Sequence, residues 1–140
     1  MRSVLLSALL LAVAAGCIRD DNGGVDAPIG GSWHYEAVQT NPAAPATTFS
    51  ATLDIPNVGD GMFTGTLSGT MTVTGGATTP FGGPVTGTSV DERTVDFDAF
   101  VNSPTSGRRH VGIITGDSLV GNWVENGGAL QGTFRASREP

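Results

Sequence analysis

Few residues of this 140-residue chain are of types that do chemistry. It contains one cysteine, Cys17, and two histidines, His34 and His110. A catalytic nucleophile needs a base and an orienting group within reach, and a zinc site needs three or four ligands. No sequence motif for either kind of site surrounds the two histidines. We therefore predict that the protein is not an enzyme and holds no metal or cofactor.

Two small charged groups remain as candidates for binding. Asp96 and Asp98 lie two residues apart, so a β-strand would place both carboxylates on one face, either as a working pair or as a solvated outer face. Arg108–Arg109–His110 is a basic cluster that could contact an acidic partner or ligand, or simply form an exposed turn. We favour the solvated interpretation for both groups. Both histidines are predicted to be exposed, because they alternate with the apolar positions of their strands.

The single cysteine follows a secretion signal. Met1–Arg2–Ser3 is short and basic, and residues 4–15 form an apolar run that is too short to remain as a membrane-spanning helix. The run ends in Ala14–Ala15–Gly16–Cys17. Because an isolated cysteine cannot form an internal disulfide, its position requires another explanation.

Ala14–Ala15–Gly16–Cys17 resembles the lipobox of bacterial lipoproteins. The resemblance implies that residues 1–16 are a signal peptide cut between Gly16 and Cys17, and that Cys17 carries the lipid. Several acyl chains would then hold the protein at a membrane almost permanently. The next residue, Ile18, is not the Asp that retains such proteins in the inner membrane, which favours the outer membrane, at its periplasmic face or the cell surface.

The composition after the signal limits the partners. Residues 17–31 have no apolar periodicity and are rich in Asp and Gly, which predicts a flexible tether after the lipidated residue. The chain carries 13 acidic side chains against 7 basic ones, a net charge of −6. Such a balance repels nucleic acid, so we expect no nucleic-acid partner.

Residues 32–140 alternate between apolar and polar side chains with a period of two. Phe63 to Val73 is the clearest example, with apolar residues and glycines on one face and Thr or Ser on the other. About eight such segments, separated by Gly- and Pro-rich turns such as Thr79–Pro84, predict an all-β domain. Short connections favour a small antiparallel up-and-down barrel, with a β-sandwich as the alternative.

Glycines recur on the predicted inner face. An apolar–x–Gly–x–apolar unit places Gly65, Gly69, Gly121 and Gly132 among the apolar positions. Glycine at such positions lets a strand coil sharply and leaves room for a facing aromatic ring, as closure of a small barrel requires.

Gly31–Ser32–Trp33 at the start of the first strand resembles the Gly–x–Trp of the calycins, the superfamily of lipocalins and avidins. The resemblance implies an eight-stranded barrel whose Trp33 packs near one end against a basic residue of the last strand. Arg135 and Arg138 are the candidates for that partner. The polar residues with which avidins hold biotin have no match here, so that ligand is not implied.

Two functions follow as expectations. In the first, the anchored barrel binds a small apolar ligand or lipid in its interior. In the second, its own side chains fill the barrel, which serves as a non-catalytic scaffold for another envelope protein. Interior aromatics favour filling and interior glycines favour a cavity, so the sequence leaves both open.

Overall fold

A computed structural model describes residues 29–102 and 107–140, which form a closed antiparallel barrel. Its strands are β1 (Gly31–Asn41), β2 (Thr47–Gly59), β3 (Met62–Val73), β4 (Thr78–Ser89), β5 (Thr94–Ala99), β6 (Arg108–Thr115), β7 (Ser118–Glu125) and β8 (Leu130–Arg138). A single 3₁₀ turn, Asn126–Gly128, joins β7 to β8. The predicted all-β fold and eight-stranded barrel are confirmed, and the sandwich alternative is wrong. No helix among the described residues is long and apolar enough to cross a membrane. The signal peptide, Cys17 and most of the tether lie outside the described residues.

Each strand pairs with its neighbours in sequence, and β1 also pairs with β8 to close the sheet. Trp33 thereby lies opposite Leu53 of β2 on one side and Arg138 of β8 on the other. Closure leaves the backbone donors and acceptors of the strands paired around the whole ring, so the sheet has no free edge along its length. The two ends of the described chain meet at this seam.

The alternation predicted from the sequence decides which side chains fill the interior. Trp33, Tyr35 and Ala37 of β1 are buried, while the residues between them are exposed or half-buried. The same relation holds along β2, β3, β5, β7 and β8. Burial of this continuous apolar face is the main stabilising contribution to such a sheet.

Strand β6 is the exception, and the predicted phase is wrong there. Arg108, His110 and Ile114 are buried, whereas Val111 and Ile113, the apolar residues next to and near His110, are 42% and 52% exposed. The pairing with β5 explains the reversal, because Asp98 lies opposite Arg109 and both side chains face outward. The prediction that His110 is exposed is therefore also wrong, and the basic cluster is divided between the two faces.

Strand β4 is longer than predicted. The segment Thr79–Pro84, expected to be a turn, is part of the strand and pairs with β3 through Thr66↔Pro84 and Thr70↔Pro80. On the other edge of this half of β4, strand β5 pairs from Val85 onward, and the backbone after β5 continues the contact. The N–H groups of Phe100 and Asn102 donate to the carbonyls of Pro84 and Gly82. Proline has no N–H to donate, so Pro84 takes part in this contact through its carbonyl alone.

The barrel has two distinct ends. The lower end holds the start of β1, the end of β8, and the β2–β3, β4–β5 and β6–β7 turns; the upper end holds the remaining connections. Ile29 is fully buried, whereas the sequence predicts a flexible tether for residues 17–31. The Ile29 carbonyl also accepts a hydrogen bond from Trp33 Nε1 at 2.8 Å. The barrel therefore begins before Gly31.

Candidate functional site

The lower end is sealed by Trp33, Arg138 and the chain preceding β1. The guanidinium carbon of Arg138 lies 4.3 Å from the centroid of the Trp33 ring, and Arg138 Nη1 donates to the carbonyl of Gly30. Arg135, the other predicted partner, is exposed and forms an ion pair with Glu36, Nη2 to Oε2 2.6 Å. The structure thus places Arg138, and not Arg135, against Trp33.

Aromatic rings fill the middle of the barrel. Phe97 stacks on His110 with centroids 4.5 Å apart, and Phe134 contacts Tyr35, Phe97 and His110 at centroid distances of 5.1 to 6.0 Å. A fifth ring, Phe63, lies 6.1 Å from Phe97. These rings occupy the volume in which a calycin-like barrel would hold an interior ligand.

Some interior glycines accommodate aromatic rings, whereas a Cβ on Gly65 or Gly69 would meet the carbonyl oxygen of Asp54 or Ser50 and no ring. A Cβ on Gly132 would lie 2.7 Å from the Trp123 ring, and one on Gly121 would lie 2.8 Å from Phe134. A Cβ on Gly87 would come within 2.5 Å of Phe63. At each of these three glycines, an aromatic ring of another strand therefore occupies the space that a side chain would need.

The upper end contains a buried cation surrounded by rings. The guanidinium carbon of Arg108 lies 4.0, 4.5 and 5.0 Å from the ring centroids of Trp123, Phe49 and Phe81. Glu125 accepts hydrogen bonds from Arg108 Nε at 3.0 Å and Nη2 at 2.8 Å through its Oε2. Cation–π contacts and a carboxylate partner together offset the cost of burying this charge.

Two donors in this cluster have no hydrogen-bond partner among the described residues. They are Nη1 of Arg108, whose residue is 5% exposed, and Nε1 of Trp123, which is fully buried. A buried donor left unpaired costs about 1–3 kcal/mol, and more on a charged group. Trp33, by contrast, satisfies its indole N–H within the chain. Unpaired buried donors of this kind call for an acceptor, either water or a ligand.

His110 and Tyr35 form a satisfied polar pair below this cluster. His110 Nδ1 lies 2.8 Å from the carbonyl of Arg108, so it carries the proton, and Nε2 accepts the Tyr35 hydroxyl at 3.0 Å. Burial lowers the pKa of His110 to about 3 and raises the pKa of the Tyr35 phenol above its usual range. Both groups are therefore neutral near pH 7 and act as structural hydrogen-bonding partners.

The remaining predicted candidates lie on the outside of the barrel. Asp96 accepts hydrogen bonds from Arg109, whose Nε and Nη2 lie 3.0 and 2.6 Å from the two carboxylate oxygens. These bonds hold the pKa of Asp96 below its usual range. Asp96 thus forms an outer ion pair with Arg109 and not a working pair with Asp98. Within the described ranges, no three His, Cys, Asp or Glu side chains come together as metal ligands do.

The outer wall of the barrel carries a cleft at an irregularity of strand β1. Strand β1 has an extra residue, Thr40, where the register with β8 shifts between Gln39 and Asn41. A cleft of about 200 Å³ lies at this bulge, lined by Thr40, Asn122, Trp123, Val124, Gln131 and Gly132. Bulges of this kind often mark functional positions in sheets. Trp123 borders this cleft, but the residue is fully buried and its ring packs against Arg108 inside the barrel.

A second groove, of about 280 Å³, crosses the outer face of β2, β1 and β8. It is lined mostly by outward side chains: Glu36, Ala37, Val38, Thr48, Phe49, Thr133, Phe134 and Arg135. Its polar groups on Glu36 and Arg135 already pair with each other. It therefore offers a ligand fewer unsatisfied groups than the upper end does.

Sequence reasoning missed the interior roles of Arg108, Glu125 and Trp123 as a polar cluster. One feature of the sequence could have located Arg108 inside the barrel. The sequence predicts that Asp96 and Asp98 face outward, and Arg109 on the adjacent strand is their basic partner on that face. Because side chains alternate along a strand, Arg108 and His110 then had to face inward.

No family model matches the sequence, and no curated protein matches it either. Solved structures do match the fold. A redesigned β-barrel is 13% identical, with a TM-score of 0.63 over 79% of this chain and 91% of that one. The redesigned barrel mFAP1, bound to DFHBI, is 14% identical, with a TM-score of 0.64 over 78% of this chain and 94% of that one. A de novo fluorescence-activating barrel is 15% identical, with a TM-score of 0.60 over 82% of this chain and 99% of that one. At these identities the likeness extends to the fold, a closed eight-stranded antiparallel barrel.

Proposed function

We propose that this protein is a bacterial lipoprotein, anchored through Cys17, whose barrel binds a small, mostly apolar ligand at its upper end. The anchor is inferred from the lipobox-like Ala14–Ala15–Gly16–Cys17, and Ile18 favours the outer membrane. The barrel has no catalytic task in this proposal. Its role is to hold a ligand at the cell envelope.

The observation that carries the binding proposal is the pair of unpaired buried donors on Arg108 and Trp123. They lie among the rings of Phe49 and Phe81, and ligand sites commonly combine apolar walls with a few polar groups. A structural neighbour, mFAP1, is bound to DFHBI, so a barrel of this fold can accommodate a small ligand. The filled middle of the barrel restricts the site to the upper end and disfavours a long acyl chain.

The position of the proposed anchor is compatible with a binding site at the upper end. A chain running from Cys17 reaches the barrel at Ile29, which is buried at the lower end. The cluster around Arg108 therefore lies at the end opposite the attachment point. A ligand would approach it from the side away from the anchor.

The anchor is tested by lipid labelling in bacteria. We expect a palmitate analogue to label the wild-type chain, and Cys17→Ser to abolish both labelling and signal removal by the lipoprotein peptidase. Ala14→Leu, which brings the lipobox closer to its commonest form, should keep the label. Label on the Cys17→Ser chain would contradict the assignment.

Ligand binding is tested on residues 17–140 carrying Cys17→Ser, which include the whole closed sheet. Three fragments of similar size serve as probes: acetophenone, ethylbenzene and benzoate. At least one should raise the thermal midpoint saturably, because a ligand that binds only the folded state stabilises it. If none does so at millimolar concentrations, the binding proposal is wrong.

A second candidate function, a scaffold for another protein, is favoured by a different observation. Four aliphatic side chains project from the outer face of β6 and β7, each 39–54% exposed: Val111, Ile113, Val120 and Val124. Contiguous exposed apolar groups often mark protein contacts. A photo-crosslinking residue at Val120 should trap an envelope protein in intact cells, whereas one at Thr70, on the opposite wall, should not.

A further inference from the structure

The ion pair between Glu36 and Arg135 borders two clefts on the outer wall of the barrel. The cleft on its upper side is the groove across β2, β1 and β8 described above. The cleft on its lower side crosses β1, β8 and β7 and has a volume of about 320 Å³. This volume falls just inside the range of small-molecule sites, roughly 300–1,000 Å³. The lower cleft is lined mainly by His34, Glu36, Ser118, Val120, Arg135 and Ser137.

Three strands bring the polar groups of this lower cleft together, although they are far apart in sequence. His34 of β1 lies opposite Ser137 of β8, and Ser137 lies opposite Ser118 of β7. In the next outward row, Glu36 of β1 lies opposite Arg135 of β8. The cluster therefore depends on the seam between β1 and β8 that closes the barrel. No pattern within one strand indicates it.

The carboxylate of Glu36 keeps one oxygen available to a ligand. Arg135 Nε lies 2.8 Å and Arg135 Nη2 lies 2.6 Å from the same oxygen, Oε2. The other oxygen, Oε1, lies 3.9 Å from His34 Nε2, which is too far for a hydrogen bond. The second outer ion pair differs, because Arg109 engages both oxygens of Asp96. Glu36 thus offers an acceptor on the side of His34, which lines the lower cleft.

The lower cleft offers donors and acceptors together. Glu36 Oε1 is an acceptor, and Arg135 Nη1 is a donor outside the ion pair. The neutral ring of His34 supplies one donor and one acceptor, and each hydroxyl of Ser118 and Ser137 serves as either. A single amide group would leave most of these groups to water. A molecule with several hydroxyls matches them, since every hydroxyl both donates and accepts.

The charge of the lower cleft favours a neutral ligand. The charges of Glu36 and Arg135 cancel, and the net charge of −6 on the whole chain disfavours the approach of anions. A cation would compete with Arg135 for the Glu36 carboxylate. One apolar side chain, Val120, is 54% exposed and lies opposite Arg135 on β7. It offers a surface for the C–H groups of a ligand.

We propose that the lower cleft is a binding site for a neutral pyranose sugar. Adjacent ring hydroxyls bond to Glu36 Oε1 and Arg135 Nη1, other hydroxyls reach Ser118 and Ser137, and C–H groups of the ring lie against Val120. The side chains of Glu36 and Arg135 are 43% and 74% exposed, so the site is shallow and binding is expected in the millimolar range. The site is separate from the one proposed at the upper end and does not depend on it.

Titrations followed in ¹H–¹⁵N spectra test the proposal on residues 17–140 carrying Cys17→Ser. The probes are the methyl pyranosides of glucose, galactose, mannose and N-acetylglucosamine. At least one should shift the backbone signals of His34, Ser118 and Ser137 saturably. Tetrahydropyran, which has the same ring without hydroxyls, should shift none of them. Glucuronate, an anionic pyranose, should bind more weakly than the best neutral probe.

Matched substitutions separate the lower cleft from the rest of the wall. Glu36→Gln replaces a charged acceptor by a neutral one, and Ser137→Ala removes a hydroxyl, so each should weaken binding several-fold. Asp96→Asn makes the corresponding change in the other outer ion pair, and Thr70→Ala removes a hydroxyl on the opposite wall. Both controls should leave binding unchanged. If a variant does not fold, the wild-type ranking of the probes still decides the question.

The outcomes that overturn the proposal are distinct from one another. Without a saturable shift from any of the four pyranosides at tens of millimolar, the cleft is not a sugar site. Equal binding of tetrahydropyran, or tightest binding of glucuronate, overturns the neutral sugar as the ligand class. Binding that is unaffected by Glu36→Gln and Ser137→Ala overturns the assignment to this cleft. None of these results bears on the anchor or on the site proposed at the upper end.

Discussion

At the scale of single residues, His110 shows how position changes the chemistry of a side chain. A histidine in an exposed turn titrates near neutral pH, whereas this one lies among Phe97, Phe134 and Tyr35 with both ring nitrogens hydrogen-bonded. Since burial lowers its pKa to about 3, the folded protein keeps it neutral where the unfolded chain would protonate it.

This difference predicts an acid-sensitive fold. Between about pH 6.5 and pH 3 the unfolded state binds a proton that the folded state does not, so stability falls as the pH falls. The slope should approach about 1.4 kcal/mol per pH unit, measured by urea unfolding across this range. Asp96, whose pKa is lowered by Arg109, loses its contribution only below about its ordinary value of 3.8, so the range above pH 4.5 reports on His110.

His110→Gln should flatten this slope above pH 4.5, whatever its effect on absolute stability. His34→Gln removes the other histidine, which lies on the outer surface with a 3.9 Å contact to Glu36, and serves as the comparison variant. A wild-type slope of zero between pH 6.5 and 4.5 would contradict the assignment.

The contact between Trp33 and Arg138 gives a second prediction at this scale. Trp33→Ala deletes a fully buried ring and should cost about 3–5 kcal/mol of unfolding free energy. Arg138→Ala should cost less, and the two changes should couple by about 0.5–2 kcal/mol in a double-mutant cycle. Arg135→Ala is the matched control, because Arg135 lies on the outer face away from the ring. Additivity of Trp33→Ala with Arg138→Ala would mean that the contact contributes nothing.

At the scale of strands, the glycines on the inner face hold a strand close to a ring of its neighbour. Gly121 is the clearest case, because an added Cβ would lie 2.1 Å from the Val111 carbonyl and 2.8 Å from Phe134. Neither the backbone nor a packed ring can easily move away. The glycine is therefore part of the packing of β6, β7 and β8.

Gly121→Ala should accordingly destabilise the fold by about 1–3 kcal/mol, the range for overpacking a core. Gly59→Ala is the control, since nothing lies within 4 Å of a Cβ at that position. Chemical unfolding of both variants compares them directly. Equal stability of the two would show that the barrel expands at Gly121 without cost.

The strands could be predicted from the sequence because alternation is a local property of the chain. Phe63 to Val73 determines its own buried face, and Trp33, Tyr35 and Ala37 do the same. Strand β6 could not be assigned locally, since Arg108 and His110 are polar and Val111 and Ile113 are apolar. Only the pairing with β5 decides which face is inside. The site was missed for the same reason, because a cluster formed by β6 and β7 has no signature within either strand.

At the scale of the whole molecule, the closed barrel makes the domain independent of the residues before it. Every strand finds both neighbours within Gly31–Arg138. The start of the domain nevertheless lies at Ile29, because its side chain is buried and its carbonyl and that of Gly30 accept hydrogen bonds from Trp33 and Arg138.

A chain starting at Ile29 should therefore be more stable than one starting at Ser32, by about 3 kcal/mol, since the shorter one loses a buried side chain and the two carbonyls that accept hydrogen bonds from Trp33 and Arg138. Both should give circular dichroism spectra typical of β-structure and sediment as monomers. Ile29→Ala in the longer chain should give an unfolding free energy between those of the two chains. The variant loses the buried side chain but keeps the two carbonyls. Equal unfolding free energies for the two chains would place the boundary after Gly31.

If the chain is anchored through Cys17 as proposed, the seal at the lower end has a mechanical consequence. A pull along the tether enters the barrel at Ile29 and runs in line with β1, whose hydrogen bonds to β2 and β8 lie across that direction. The force then loads the β1–β2 and β1–β8 hydrogen-bond ladders in shear. Many hydrogen bonds resist it together, and they are not broken one at a time. Before β1 can slide, the pull must also break the hydrogen bonds that Trp33 and Arg138 donate to the carbonyls of Ile29 and Gly30. With the proposed anchor at Cys17, we therefore expect the barrel to stay closed under a pull on the tether.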